Sequence, residues 1–327
     1  MKDVGIVGIP YSGKSTLFTA LTSTGSAGGR SNQAVVDVPD ARVEKLTALE
    51  GSKKTVHAKV RFVDVPGGLT ARGIAEFRQT DALCIVVRAY GPEADPSGEL
   101  GSVQAELLLA DLASIESALD KGRKKARSSK EAQREVDVLE RAHALLDSER
   151  ALREAPWEDD ELKFLRGFGA LTLKPWIVVA NVEESAGAEP HGLLEETIAV
   201  SASLETEVAG MDEGDAGELL AGFGITEPGL GRVIRACYRA LDLITFLTTG
   251  EDESRAWEVG RGARAPEAAG VIHSDLERGF IRAEVVHYDD LVAAGSWNEA
   301  KGRGRLRVEG KDYEVREGDC LNIRFAV

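Results

Sequence analysis

Residues 3–22, DVGIVGIPYSGKSTLFTALT, constrain this chain more than any other stretch. An apolar run from Val4 to Val7 breaks at Gly8, and a turn follows through Pro10, Tyr11 and Ser12. Gly13-Lys14-Ser15-Thr16 then opens a segment with Leu17, Phe18 and Leu21 at helical spacing. Strand, loop and helix satisfy G-x-x-x-x-G-K-[ST] in the context that gives that pattern its meaning. Gly8 and Gly13 allow backbone conformations that turn successive N–H groups toward one anion. The helix start adds the positive end of its dipole. Lys14 supplies a mobile charge for the β- and γ-phosphates and is expected to face solvent ahead of them. The Ser15 hydroxyl is placed to ligate Mg²⁺. The stretch predicts binding of a nucleoside triphosphate.

Length and composition bound what surrounds this loop. At 327 residues the chain exceeds one ordinary compact domain, so two or three are expected. Its 43% apolar and 29% charged residues are those of a soluble globular protein. No apolar run reaches the length of a membrane span, and Met1-Lys2-Asp3 leads straight into a core strand, which reads as no signal peptide. Cys84, Cys237 and Cys320 form no metal-like pair and are expected to be buried thiols in a reducing cytoplasm. A net charge of −15 argues against global nucleic-acid binding, DNA included, but leaves room for a local basic patch.

Further along, residues 25–33 form a glycine- and serine-rich loop, followed by a strand end, a turn at Pro39-Asp40 and a short helix. Residues 55–64, TVHAKVRFVD, read as one strand entering a buried sheet and ending in Asp64-Val65-Pro66-Gly67. A D-x-x-G element at a strand end, downstream of a phosphate loop, puts Asp64 on a Mg²⁺-bound water and the Gly67 N–H at the γ-phosphate. Ala82 to Val87 has the continuous apolar character of a buried parallel strand. Leu107, Leu108, Leu112, Ile115 and Leu119, then Val136, Leu139, Ala142, Leu145 and Leu146, predict a helical hairpin turning near Ser128-Ser129. The basic run Lys121 to Arg127 near that turn is either a solvated helix end or an RNA-phosphate contact. The parallel pattern resumes at Pro175 to Ala180, ending in Asn181-Val182-Glu183-Glu184, and Ile198-Ala199-Val200 leads into Ser201-Ala202-Ser203. After Leu241 short strand-like segments alternate with helical pieces, as in a small α+β domain.

The order GIPYSGKST, FVDVPG, VANVEE, VSAS resembles that of translation-factor-like P-loop GTPases. VPDARVEKL, RQTDALCIVVRAY, ELLLADLASIE, LTLKPWIVVANVEE and nearly all of 241–327 are more closely similar to the YchF/Obg-like ATPases. The resemblance implies a doubly wound α/β P-loop domain (1–100 and 173–240), a helical-hairpin insert (101–172) and a C-terminal TGS-like, ubiquitin-like β-grasp domain (241–327). It implies ATP and Mg²⁺ as ligands, the ribosome or ribosomal RNA as partner, and slow hydrolysis with Lys14 and Asp64 as catalytic groups. The nucleotide would meet Gly8, Pro10, Tyr11, Ser12, Gly13, Lys14, Ser15, Thr16 and Gly67 at its phosphates. Asn181, Val182, Glu184, Ser201 and Ala202 would surround its base, while Ser15 and Asp64 hold the metal.

Base choice follows from side-chain lengths. GTP-specific relatives carry N-K-x-D, whose Asp accepts from guanine N1 and N2; here Val182 replaces the Lys and Glu184 the Asp. Glu184 is one methylene longer and meets guanine at the wrong depth. Losing such a bidentate pair costs on the order of 2–4 kcal/mol, which predicts ATP over GTP, with GTP still possible. The chain also departs from the family. No Thr stands at Gly28-Gly29-Arg30-Ser31-Asn32, the run after Gly67 is short, and the interval Ala89 to Pro96 lacks the family's His. Two readings stay open, a slow ATPase and a nucleotide-responsive binding module completed by a partner. His273 and His287 are expected to be structural.

Overall fold

The computed structural model describes residues 1–22, 32–125, 129–184, 196–225 and 228–326. The chain forms two compact units, Lys2–Ala34 with Arg61–Val233, and Val35–Val60 with Ile234–Val327 and Met1. In order it runs β1 (Lys2–Val7), α1 (Lys14–Thr22), β2 (Asn32–Asp37), α2 (Ala41–Glu50), β3 (Thr55–Val56), β4 (Lys59–Asp64), α3 (Ala71–Phe77) and β5 (Ala82–Ala89). There follow α4 (Pro96–Lys125), α5 (Lys130–Asp147), α6 (Asp159–Arg166), β6 (Trp176–Val182), β7 (Ile198–Val200), α7 (Ala202–Val208), α8 (Glu213–Gly222) and α9 (Gly229–Ala240).

One six-stranded sheet has the order β2-β4-β1-β5-β6-β7, with β1, β5, β6 and β7 parallel. Ala82 to Val87 on β5 are all buried, as a strand covered on both faces requires. After β1 the chain crosses to one side of the sheet, then returns so that β5 flanks β1 on the other. That reversal is the switch point at which open α/β sheets bind ligands, outside the strands' carboxyl ends. Gly8 follows β1 there, and Tyr90 follows β5.

The insert is the expected hairpin. Leu100, Val103, Leu107, Ile115 and Leu119 line the buried side of α4 at three- and four-residue steps, while Leu109 is turned to solvent. Leu108 and Leu112 are only partly buried against the same core. Ser129 caps α5 by accepting from the Ala132 N–H at 3.1 Å. In the middle of this stripe lies a carboxylate, Asp111, 1% exposed. It accepts from the Leu171 N–H (3.0 Å), the Thr172 N–H (2.7 Å) and the Thr172 hydroxyl (2.8 Å), and pairs with Arg78 at 2.9 Å. Arg78 also donates to the Ala110 carbonyl and Ser114 Oγ, both at 2.8 Å, so the end of α3 is fastened to α4. Residues 126 and 127 of the basic run lie outside the described residues; Arg123 within it pairs with Glu140 at 2.9 Å.

The second unit contains β8 (Leu243–Thr248), β9 (Ser254–Gly260), α10 (Ala265–Ile272), α11 (Ser274–Arg278) and β10 (Phe280–His287). It ends with α12 (Tyr288–Ala294), α13 (Trp297–Gly302), β11 (Arg307–Glu309) and β12 (Asp319–Phe325). Its mixed sheet, β11-β10-β12-β8-β9-β3, carries α10 over a core of Ile244, Phe246, Val259, Ala268, Val285 and Leu321, a β-grasp arrangement. Residues 55–64 are two strands rather than the one expected. β3 pairs with β9 (Thr55 beside Ser254), and the chain breaks at His57-Ala58, where the Ala58 carbonyl accepts the Val38 N–H at 2.8 Å. Two different sheets claim the two ends of an apparently continuous pattern. His273 and His287 use Nδ1 to cap α11 and α12, accepting from Asp275 (3.1 Å) and Asp289 (3.3 Å). The three cysteines are buried thiols. Among the described residues no helix is long and apolar enough to cross a membrane.

Candidate functional site

The phosphate loop owes its shape to what its residues lack and to what holds its carbonyls. At Gly8 a Cβ would lie 2.4 Å from the Val86 carbonyl oxygen, so only glycine passes β5 there. Gly13 has φ +94° and faces Asn181 so closely that a Cβ would strike its side-chain amide. Pro10 forms the first corner, and Tyr11 adopts a left-handed φ of 66° with its ring 88% exposed. Ser12 is fully buried, and its Oγ has no hydrogen-bond partner among the described residues. A buried hydroxyl without a partner, in a glycine-bounded loop at a helix start, is what an anion site provides.

Lys14 is half-buried instead of facing solvent as the sequence reading expected. Its Nζ turns back to donate to the Ile9 carbonyl at 2.6 Å, which satisfies a charge that the loop otherwise desolvates. Burial lowers its pKa, opposed by the negative charges of Asp64 and Glu99. Ser15 and Thr16, at the exposed start of α1, flank it.

Asp64, 3% exposed at the end of β4, accepts from the Ser15 hydroxyl at 3.2 Å. The D-x-x-G turn continues through Gly67 (φ +88°) and Gly68 (φ +55°), with the Gly68 N–H bonded to the Val65 carbonyl at 3.0 Å. A Cβ at Gly68 would stand 3.3 Å from the Gly8 carbonyl oxygen, so this turn abuts the phosphate loop. Ser15 and Asp64 are two hard oxygen donors within hydrogen-bond reach of each other, a set that fits Mg²⁺. Among the described residues no group of three or more His, Cys, Asp or Glu could hold a metal alone. A cation here would take its remaining ligands from phosphate and water.

Asn181, 7% exposed near the end of β6, ties the two ends of the site together. Its Nδ2 donates to the Ser12 carbonyl at 3.2 Å and its Oδ1 accepts from the Ala202 N–H at 3.0 Å. Ser201 caps α7, accepting from Leu204 at 3.4 Å, and so fixes the backbone that Asn181 reads. A cleft of about 500 Å³ opens beside this link, lined by Gly13, Thr16, Tyr90, Asn181, Val182, Glu183, Glu184 and Ser203. Val182 and Glu184 thus border the same space as Asn181, while Ser201 and Ala202 lie behind it. Tyr90, Glu183 and Ser203 are lining residues that sequence reading passed over. Tyr90 donates to the Tyr11 carbonyl at 2.8 Å, and the Gly91 N–H donates to Glu183 at 2.9 Å. The available signal was position: Tyr90 directly follows the strand at the switch point. Glu99, 7% exposed at the start of α4, accepts the Arg88 N–H at 2.8 Å. Gly28 to Ser31, where the family's Thr was sought, lie outside the described residues.

A parallel sheet with its phosphate loop at the switch point, a carboxylate facing the loop serine and an asparagine bridging to a second loop define a P-loop nucleotide-binding protein of the GTPase class. A family model described as 50S ribosome-binding GTPase matches residues 3–112. A second, for the YchF GTPase C-terminal region and described as a protein of unknown function, matches 243–326. The ribosome-binding ATPase YchF of Bacillus subtilis is 38% identical with 99% of each chain covered, and that of Haemophilus ducreyi is 39% identical over the same shares. The structure of the Schizosaccharomyces pombe YchF GTPase superposes with TM-score 0.87 at 26% identity, over 99% of this chain and 97% of that one. The chain belongs to the YchF family.

Proposed function

We propose that this protein binds ATP with Mg²⁺ in preference to GTP, hydrolyses it slowly to ADP and phosphate, and works with the ribosome in the cytoplasm. The observation that carries base choice is the cleft wall, where Val182 and Glu184 stand beside Asn181 in the places of a base-covering lysine and a guanine-reading aspartate. The names of the relatives, ribosome-binding ATPases, support the nucleotide and the partner.

In this reading Gly8, Tyr11, Ser12 and Gly13 wrap the β-phosphate with backbone N–H groups, and Pro10, which has none, shapes the turn between them. Lys14 exchanges the Ile9 carbonyl for phosphate oxygens, and its charge meets the negative charge that grows on the transferring group. Mg²⁺, when bound, neutralises the β- and γ-oxygens. Ser15 would ligate it directly and Asp64 through water, while the Gly67 N–H meets the γ-phosphate. Asn181, Val182, Glu184, Ser201 and Ala202 shape or support the base end, and Thr16 lines the same cleft from the phosphate side. A second reading, a binding module that hydrolyses only when a partner supplies the missing group, is favoured by one observation: the segment Ala89 to Pro96 contains no histidine.

Calorimetric titration with ATP, GTP and a non-hydrolysable ATP analogue tests the choice of base. ATP is expected to bind more tightly, and Val182→Lys with Glu184→Asp is expected to move the ratio toward GTP by about tenfold or more. Equal or tighter GTP binding by the unaltered protein would refute the argument from side-chain length.

A further inference from the structure

The phosphate loop contains one conformation that its sequence does not favour. Tyr11 is neither glycine nor asparagine, yet it sits at φ 66°, a region that costs an ordinary side chain on the order of 1 kcal/mol. Its ring is 88% exposed, so packing does not hold it there. Its carbonyl accepts a hydrogen bond from the Tyr90 hydroxyl at 2.8 Å, 79 residues away. The next carbonyl, that of Ser12, is held at 3.2 Å by Asn181. Two consecutive carbonyls of the loop are therefore held by side chains that follow, or end, two neighbouring strands.

A planar trans peptide points its C=O and N–H to opposite sides. With the Tyr11 and Ser12 carbonyls facing Tyr90 and Asn181, the Ser12 and Gly13 N–H groups consequently face away from those two side chains. The Ser12 N–H closes only a long contact, 3.4 Å, to the Ile9 carbonyl. We propose that Tyr90 is a positioning residue for the phosphate end of the cleft: its hydroxyl holds the Tyr11 carbonyl and so keeps the loop in its anion-binding form before a nucleotide arrives. The inference rests on the reading of this cleft as a nucleotide site. It separates two parts of one side chain, since the ring lines the cleft while the hydroxyl acts on the loop. The adjoining Gly91 N–H, bonded to Glu183 at 2.9 Å, anchors the segment that carries Tyr90 to the base side.

Tyr90→Phe in the full chain removes the hydroxyl and keeps the ring. Binding of ATP, ADP and adenosine would be compared with the unaltered protein, adenosine by competition, together with amide hydrogen exchange at residues 10–13 without nucleotide. The loss of one neutral hydrogen bond predicts about threefold to tenfold weaker ATP and ADP binding, unchanged adenosine binding, and faster exchange at Ser12 and Gly13. Unaltered exchange and unaltered ATP affinity would overturn the inference. So would an equal loss for adenosine, which would put the hydroxyl's effect on the nucleoside. If the unaltered protein bound no nucleotide, the reading of the cleft would fall and the inference with it. Nucleotide binding indifferent to Tyr90→Phe would remove the inference alone.

Discussion

Lys14 shows how much a single side chain can depend on its surroundings. The motif identifies it as the phosphate lysine, but its Nζ rests on the Ile9 carbonyl, inside the loop it belongs to. Burial lowers its pKa while Asp64 and Glu99 oppose that shift, so it sits between a desolvating loop and two carboxylates. Lys14→Ala removes the loop's only side-chain cation and leaves its glycines untouched. ATP affinity is expected to fall about 100-fold or more, because hydrogen bonds to charged groups are worth roughly 1.5–3 kcal/mol each. The far-ultraviolet circular dichroism should not change. A titration giving the same affinity as the unaltered protein would withdraw Lys14 from the site.

At the level of elements, the hairpin is attached to the nucleotide unit through a buried polar knot more than through leucines alone. Asp111 interrupts the apolar stripe of α4 and is tolerated because the Leu171 and Thr172 N–H groups, the Thr172 hydroxyl and Arg78 all face it. Arg78 lies at the end of α3, the helix that follows the D-x-x-G turn, so the same knot links that turn to the insert. Asp111→Ala would leave the Leu171 and Thr172 N–H groups and the Thr172 hydroxyl without this acceptor and Arg78 without its carboxylate partner. The expected loss is about 3 kcal/mol, seen as a lower urea midpoint at unchanged slope. A loss below about 0.5 kcal/mol would show that water or a neighbouring group replaces the carboxylate. The hairpin itself was legible from its 3.6-residue period. Asp111 was not, because a lone acid in an apolar stripe carries no local sign of its partners 60 residues on.

At the scale of the molecule, hydrolysis asks for a water held in line as well as for charge stabilisation. In the proposed reading Lys14, Ser15 and Asp64 would address the second requirement. For the first, the segment Ala89 to Pro96 offers Tyr90, committed to the Tyr11 carbonyl, and no histidine. Each missing positioning group costs about 10²-fold in rate. Intrinsic ATP turnover is therefore expected well below that of a histidine-bearing relative assayed alongside. Single-turnover measurements with and without ribosomes decide between the two readings. Fast hydrolysis by the isolated protein would mean that another of its own groups positions the water, and hydrolysis appearing only with ribosomes would favour a partner-completed site. In the basic run Lys121 to Arg127, read as a candidate RNA-phosphate contact, Arg123 is already paired with Glu140 at 2.9 Å.

Sequence alone determined the phosphate loop, the carboxylate at the end of β4, the asparagine on β6, the hairpin and the β-grasp unit. The loop, the strand ends and the hairpin are written in backbone restrictions and apolar periods that act within about twenty residues, whereas the asparagine's place and the β-grasp form of the C-terminal unit came from resemblance to the YchF/Obg-like family. Tertiary structure alone decided that Val35–Val60 folds with the C-terminal segment, because β3 finds its hydrogen-bonding partner in β9 rather than nearby. It also decided that Lys14 turns inward, and that Tyr90 and Glu183 belong to the site through bonds spanning 79 and 92 residues. Such contacts leave no periodicity or spacing behind, since they exist only once the parallel strands have brought distant loops to the same edge of the sheet.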